Sequence, residues 1–124
     1  MFRLVALLAA AALAQQEKPP PQEPPEEDAA LAAKEYSFNP LQAAREIRVG
    51  AFYARKGTWR AAAQRFEEAT KWDPGNLEAW LKLGEMREKL KDDKGAREAY
   101  TKYLDLAPDA KNAPALKKKV AGKS

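Results

Sequence analysis

Two stretches of the chain decide its fold: EIRVGAFYARKGTWRAAAQRFEEATKWDP at residues 46–74 and WLKLGEMREKLKDDKGAREAYTKYLDLAP at residues 80–108. They can be aligned at an offset of 34 residues. Similar residue types then coincide in five pairs: Val49 and Leu83, Gly50 and Gly84, Ala62 and Ala96, Phe66 and Tyr100, Pro74 and Pro108. These residues are small, apolar, aromatic or turn-forming, and their period indicates helix–turn–helix repeats.

Helix boundaries can be predicted from capping and turn residues. Asn39-Pro40 opens the first helix, because asparagine accepts a hydrogen bond there and the missing N–H of proline costs nothing in the first turn. Gly57-Thr58 separates the first two helices, and residues 72–75 (WDPG) end the second. The caps predicted for the second to fifth helices are Thr58, Asn76, Asp93 and Asn112. In the first helix, apolar residues recur at the three- and four-residue spacing of an amphipathic helix: Leu41, Ala44, Ile47, Ala51 and Ala54.

The repeated residues resemble the tetratricopeptide repeat (TPR) family. Trp80-x-x-Leu83-Gly84 is similar to the start of the family signature. The other residues that match it are Gly50, Tyr53, Ala62, Phe66, Ala69, Pro74, Ala96, Tyr100 and Pro108. Glu46, Arg87 and Tyr103 depart from it. The resemblance implies an all-α fold, a short α-solenoid of two repeats at 43–76 and 77–110. Flanking capping helices are expected within 29–42, where the first helix starts, and within 111–124, which ends in a basic tail.

Gly50 and Gly84 lie inside predicted helices, where glycine costs about 1 kcal/mol relative to alanine. The resemblance implies close approach of two helices at each glycine. Ala62 and Ala96 are then expected to face the glycines, with aromatic rings filling the space toward the next helix.

The resemblance also implies a concave face, lined by the first helix of each repeat, that binds a peptide or a helix of a partner protein. The positions expected there are Ile47, Ala51, Ala54, Arg55, Glu78, Leu81, Glu85, Glu88 and Lys89. One TPR subtype binds acidic C-terminal tails through a ring of lysines and asparagines, but Ile47 and Ala51 stand where such residues would be expected. That mode is therefore not predicted. The ends of the repeat stack are also expected to be exposed, so a homodimer formed by end-to-end stacking of two copies is an open alternative.

Composition excludes most catalytic chemistry. The chain has no histidine and no cysteine, and its only serines are Ser37 and Ser124. Disulfides and Cys/His zinc sites are excluded, and the usual general base and thiol nucleophile are absent. Glu85 and Glu88 lie three residues apart, but without an enclosed pocket they are interpreted as surface acids. We therefore expect a non-catalytic protein with no metal or cofactor.

The first 14 residues have the pattern of a secretory signal: Arg3, an apolar run at 4–14, and Ala12-Leu13-Ala14 before the polar Gln15. As a helix the run would span about 16 Å, too short for a hydrocarbon core of about 30 Å. Cleavage after Ala14 and a bacterial periplasmic location are predicted, with no transmembrane segment in the mature form. The alternative is a buried helix.

Residues 15–28 (QQEKPPPQEPPEED) carry five acids and one lysine, which predicts a disordered, extended linker. A PxxP ligand at 21–24 is the alternative. Residues 29–124 carry 20 Lys and Arg against 13 Asp and Glu, a net charge of +7. Export argues against a nucleic-acid partner. An anionic cell-wall polymer fits this charge, so an envelope-associated structural protein is the alternative function.

A narrower resemblance covers residues 36–66, which are similar to the opening of TPR lipoproteins of the outer-membrane β-barrel assembly machinery. The lipidation cysteine of those proteins is missing, and the repeats here are fewer. Only the general role of a cell-envelope adaptor is therefore inferred from this resemblance. The sequence therefore predicts an exported, non-catalytic interaction module or cell-envelope assembly adaptor.

Overall fold

Residues 36–122, which the computed structural model of the protein describes, form five α-helices and no strand. They are α1 (Pro40–Arg55), α2 (Trp59–Trp72), α3 (Leu77–Lys89), α4 (Asp93–Leu106) and α5 (Ala113–Val120). The predicted all-α fold is confirmed. None of these five helices is long and apolar enough to cross a membrane. The predicted signal, linker and capping segment at 29–35 lie outside the described residues.

Capping side chains start three of the helices. Asn39 Oδ1 accepts a hydrogen bond of 3.0 Å from the Gln42 N–H, and Asn76 Oδ1 accepts one of 3.0 Å from the Ala79 N–H. The cap predicted at Asp93 is wrong by one residue: Asp92 caps α4 and Asp93 is its first residue. Asp92 takes this role because it lies three residues before the Gly95 N–H, which its Oδ1 accepts at 2.9 Å.

Thr58 and Asn112 stand at the predicted cap positions, but neither side chain caps its helix. The side chain of Asn112 is used elsewhere, because its Oδ1 accepts a hydrogen bond of 3.0 Å from the hydroxyl of Tyr103. This bond joins α4 to the start of α5.

Removing the asparagine cap of α3 should destabilise the protein more than removing the threonine before α2. Asn76→Ala is expected to lower the free energy of unfolding by about 1 kcal/mol, because the Ala79 N–H loses its acceptor. Thr58→Ala is the matched control, since that side chain makes no cap bond. Urea denaturation of both variants measures the difference, and equal losses would contradict this assignment of the caps.

Each helix packs against the next one in the chain, and α1 also packs against α3. The glycines make the close approach within each repeat possible. A Cβ at Gly50 would lie 2.7 Å from the Phe66 ring, and one at Gly84 would collide with the Tyr100 ring. The side chain nearest to each glycine is thus an aromatic ring, which lies one turn beyond Ala62 or Ala96 on the same helix.

Two apolar clusters hold the helices together. The first joins α1, α2 and α3, with Ala99 of α4 at its edge. Its largest fully buried side chains are Phe66 and Leu83. The second cluster contains Tyr100 and Tyr103 of α4 and Leu116 of α5. The C-terminal helix α5 thus covers the end of the second repeat.

The three departures from the family signature each form a polar contact between elements. Glu46 accepts hydrogen bonds from Gln42 and from Arg65 of α2, at 3.1 and 3.2 Å. Arg87 donates to the Gly95 carbonyl at 3.0 Å and lies 3.6 Å from the Glu67 carboxylate. Tyr103 donates to Asn112, as described above. Each of these substitutions therefore adds a polar contact between elements.

Candidate protein-binding surface

The first helices of the two repeats lie side by side, because α1 and α3 pack against each other and both pack against α2. The nine residues expected on the concave face belong to these two helices. Below, concave surface means the part of α1 and α3 that carries these nine residues.

In the first repeat, Arg55 is exposed, and Ala51 and Ala54 are half-buried. The expected exposure of Ile47 is wrong, since only 9% of this residue is exposed and it lies in the first apolar cluster. The reason is its position between the buried Ala43 and Gly50, on the side of α1 that meets its neighbours. The concave surface of the first repeat therefore consists mainly of alanine and arginine.

In the second repeat, Glu78 and Lys89 are exposed, while Leu81 and Glu85 are half-buried. Lys89 Nζ lies 5.4 Å from the centroid of the Trp59 ring, so a cation–π contact holds the lysine near the first repeat. Glu85 lies 3.8 Å from Lys82 in an ion pair on the same helix. Such a partly exposed pair contributes little to stability and leaves both groups open to a ligand.

Glu88 differs from the other acids of the surface because it already has two partners. It accepts a hydrogen bond from the Tyr100 hydroxyl and two from Lys119 Nζ, at 2.8 and 3.1 Å. Burial alone would raise the pKa of Glu88, but the hydrogen bonds from Lys119 and Tyr100 outweigh it and lower that pKa. Burial, followed by the bond to Glu88, raises the pKa of Tyr100. Glu88 is therefore a charged acceptor for the C-terminal helix.

Lys119 is the residue at this surface that sequence reasoning missed. A run of three lysines, such as that at 117–119, is expected to complement the dipole at the C-terminal end of a helix. All three do lie in the last turn of α5. The contact with Glu88 arises because α5 folds back onto α4, and the only signal in the sequence was the pair of opposite charges 31 residues apart.

The surface as a whole presents charges of both signs beside small apolar side chains. Arg55 and Lys89 provide cations, Glu78 and Glu85 provide carboxylates, and Ala51 and Leu81 are half-buried apolar residues of the same two helices. A peptide with alternating charges, or a helix with one apolar side, has complementary chemistry. Of the residues that match the family signature, most are buried or half-buried, while Pro74 and Pro108 lie in exposed turns.

Comparison with known proteins agrees with this architecture. Residues 52–111 match the tetratricopeptide repeat family. No curated protein matches the chain. The matched region extends from the last turn of α1 to the residue before Asn112, and it includes both glycine-facing rings, Phe66 and Tyr100. Stacked repeats of this kind present extended surfaces to partner proteins. The protein therefore contains tetratricopeptide repeats, a fold that is generally non-catalytic and that supports a role in protein–protein interaction.

Proposed function

We propose that the protein is an exported, non-catalytic adaptor of the cell envelope that binds a peptide or a helix of a partner protein on its concave surface. The proposal is supported by the side-by-side arrangement of α1 and α3, whose concave surface exposes Arg55, Glu78 and Lys89. Affinity there would come from apolar contacts with Ala51 and Leu81, and specificity from the charges.

Export is supported by the sequence pattern of residues 1–14 and by the acidic, proline-rich residues 15–28 that follow. A spacer of 14 residues in an extended proline-rich conformation would reach about 43 Å, which would suit a module held apart from its surroundings. N-terminal sequencing of the protein from fractionated cells tests this part. We expect a chain that starts at Gln15 in the exported fraction, and an intact Met1 in the cytoplasm would overturn it.

The binding surface can be tested by chemical cross-linking in the envelope fraction, followed by mass spectrometry. We expect partner peptides to be linked to the lysines of α3, Lys82 and Lys89, more than to those of α4. The double charge reversal Arg55→Glu with Glu78→Lys should reduce recovery of the partner. It keeps the net charge and changes exposed residues only.

The matched control for recovery is Lys102→Glu with Glu98→Lys, which reverses two exposed charges on α4 and also keeps the net charge. This variant should retain the partner. Equal recovery with both double variants, or cross-links confined to α2 and α4, would contradict binding on the concave surface.

Binding of an anionic cell-wall polymer is a second candidate. Arg45, Arg48 and Arg55 form no ion pair within residues 36–122, so α1 presents uncompensated cations. Sedimentation with purified peptidoglycan sacculi tests it. Retention at low salt that disappears at about 1 M salt, where charges are screened beyond about 3 Å, would favour the polymer. The same low recovery at both salt concentrations would reject it.

A further inference from the structure

One side of α1 carries exposed residues that are all apolar or cationic, and it is called the outer side below. Leu41, Val49 and Phe52 are its apolar members, with 76%, 37% and 45% of each residue exposed. The cations interleaved with them are Arg45, Arg48 and the C-cap residue Lys56. At about 100° per residue, the six positions occupy about a third of the helix circumference, opposite to the buried Ala43 and Gly50.

No acidic side chain on α1 offsets the cations of the outer side. Glu46 is the one acid of this helix, is only 8% exposed and accepts a hydrogen bond from Arg65 of α2. Arg45, Arg48 and Lys56 form no ion pair within residues 36–122. Their charges are therefore available to an anionic ligand.

The cationic charge of the two repeats is concentrated in the first one. Residues 40–72 carry seven Lys and Arg against three acids, a net charge of +4, whereas residues 77–106 carry seven of each sign. The three acids of the first repeat each contact a donor in another part of the domain: Glu46, Glu67 and Glu68. A negatively charged surface therefore attracts the first repeat in preference to the second.

The internal repeat shows how the outer side differs from its counterpart on α3. The residues 34 positions after Arg45, Val49, Phe52 and Lys56 are Ala79, Leu83, Met86 and Leu90. On α3 the first three of these are buried in the first apolar cluster, and the fourth packs against it. On α1 an arginine stands in place of Ala79 and a lysine in place of Leu90, so a helix cannot approach as closely there. The outer side thus keeps an apolar middle but is not built for close helix packing.

A lipid surface with anionic headgroups has the chemistry that matches these residues. At such an interface, apolar side chains enter between the headgroups, while arginine and lysine extend along the surface and keep their charges beside the phosphates. This environment accepts apolar and cationic residues that alternate along one side of a helix. An anionic polymer of the cell wall would engage the cations, but it offers no apolar layer for Leu41 and Phe52.

We propose that the outer side of α1 binds the surface of a membrane that contains anionic phospholipid, with the helix parallel to the membrane plane. The 16 residues of α1 give a contact about 24 Å long. Three partly exposed apolar residues and three cations provide reversible binding rather than insertion. The outer side shares no residue with the concave surface, so the inference does not depend on a partner protein binding there. Failure to sediment with sacculi would also leave it unaffected.

An environment-sensitive fluorophore tests whether α1 meets the lipid. The chain has no cysteine, so Val49→Cys in the full chain provides a single site for a nitrobenzoxadiazole label. With vesicles of phosphatidylglycerol and phosphatidylcholine in about equal amounts, we expect the emission to increase and to shift to shorter wavelength. Vesicles of phosphatidylcholine alone should cause neither change, because they carry no net charge. Lys102→Cys, at an exposed position of α4, is the control label and should not respond.

The contribution of charge is measured in the labelled Val49→Cys chain. Arg45→Gln with Lys56→Gln should raise the lipid concentration needed for half of the spectral change about 25-fold, at roughly fivefold per cation. The matched control is Lys94→Gln with Lys102→Gln, which removes two exposed cations of α4 and should leave that concentration nearly unchanged. High salt should weaken binding of the unsubstituted surface, because it screens the cations.

The contribution of apolar contact is measured in the same way. Phe52→Ser should also raise the lipid concentration needed for half of the change. Leu106→Ser is the matched control, because Leu106 lies on α4 and is 47% exposed, against 45% for Phe52. Circular dichroism of each variant shows whether the helices remain folded.

Three results would overturn the proposal. The first is an unchanged spectrum at position 49 with the anionic vesicles. If a synthetic amphipathic helix of leucine and glutamate then produces the change, the outer side binds an acidic partner helix instead. The second is an equal response at positions 49 and 102, which would place the lipid contact outside α1. The third is an equal loss of binding in the variants of α1 and in their controls on α4, since general charge or apolarity would then explain it.

Discussion

Replacing Gly84 with leucine should lower the free energy of unfolding by about 1–3 kcal/mol or more, since the new side chain has to displace the Tyr100 ring. Tyr100 is only 1% exposed, lies in the second apolar cluster and is bonded to Glu88, so it has little freedom to move. In a domain of this size, each kcal/mol corresponds to a shift of roughly 4–8 °C in the melting temperature. Thermal denaturation followed by circular dichroism measures the effect.

A double-mutant cycle identifies the cause of this destabilisation. Gly84→Ala alone should destabilise the protein, although alanine favours a helix over glycine by about 1 kcal/mol. In a Tyr100→Ala background the ring is gone, and the same substitution should become neutral or stabilising. Gly75→Ala is the control, because a Cβ there would make only an ordinary contact of 3.6 Å with Asp73. An unchanged melting temperature for Gly84→Leu would show that the repeats are aligned in the wrong register.

The glycines show which part of the packing could be predicted from the sequence. A glycine inside a helix, repeated after 34 residues, indicates a close contact, and that prediction is confirmed at Gly50 and Gly84. The sequence did not indicate that an aromatic ring would be the nearest side chain, because the direction of a side chain depends on the crossing of two helices. Phe66 and Tyr100 lie one turn beyond Ala62 and Ala96, and periodicity alone places both turns on the same side of the helix.

The helix boundaries were predicted well because their causes are local. Asn39 and Asn76 cap helices through bonds to residues only three positions away. The exception at Asp92 and Asp93 arises between two adjacent residues of the same type, which follow Lys91 in the left-handed conformation with a φ of 63°. A sequence with two neighbouring aspartates offers no way to choose between them.

The binding surface was harder to predict because its contacts join distant parts of the chain. The resemblance placed nine residues on the first helices, but it did not show that Ile47 is buried between α1 and its neighbours. It also gave no indication that Glu88 is engaged by Lys119, since that contact requires α5 to fold back over α4. Periodicity describes a helix, whereas these outcomes depend on how the helices pack together.

Leu83 should be among the most sensitive positions in the protein, because it joins the two repeats. It is 1% exposed and lies in the cluster formed by α1, α2 and α3. Leu83→Ala is expected to cost about 2–5 kcal/mol through lost burial and a residual cavity. The matched control is Leu77→Ala on the same helix, which is 39% exposed and should change stability by roughly 0.5 kcal/mol. Urea denaturation, with the midpoint and the slope both fitted, measures each value.

The slope decides whether the repeats unfold together. A small repeat domain owes much of its cooperativity to the interface between neighbouring repeats. Its total stability should be about 4–13 kcal/mol at roughly 0.05–0.15 kcal/mol per residue, so the loss at Leu83 is a large fraction of it. We expect Leu83→Ala to lower both the midpoint and the apparent slope, because the repeats then unfold over different ranges of urea. A similar loss for Leu77→Ala, or an unchanged midpoint for Leu83→Ala, would show that Leu83 does not hold the two repeats together.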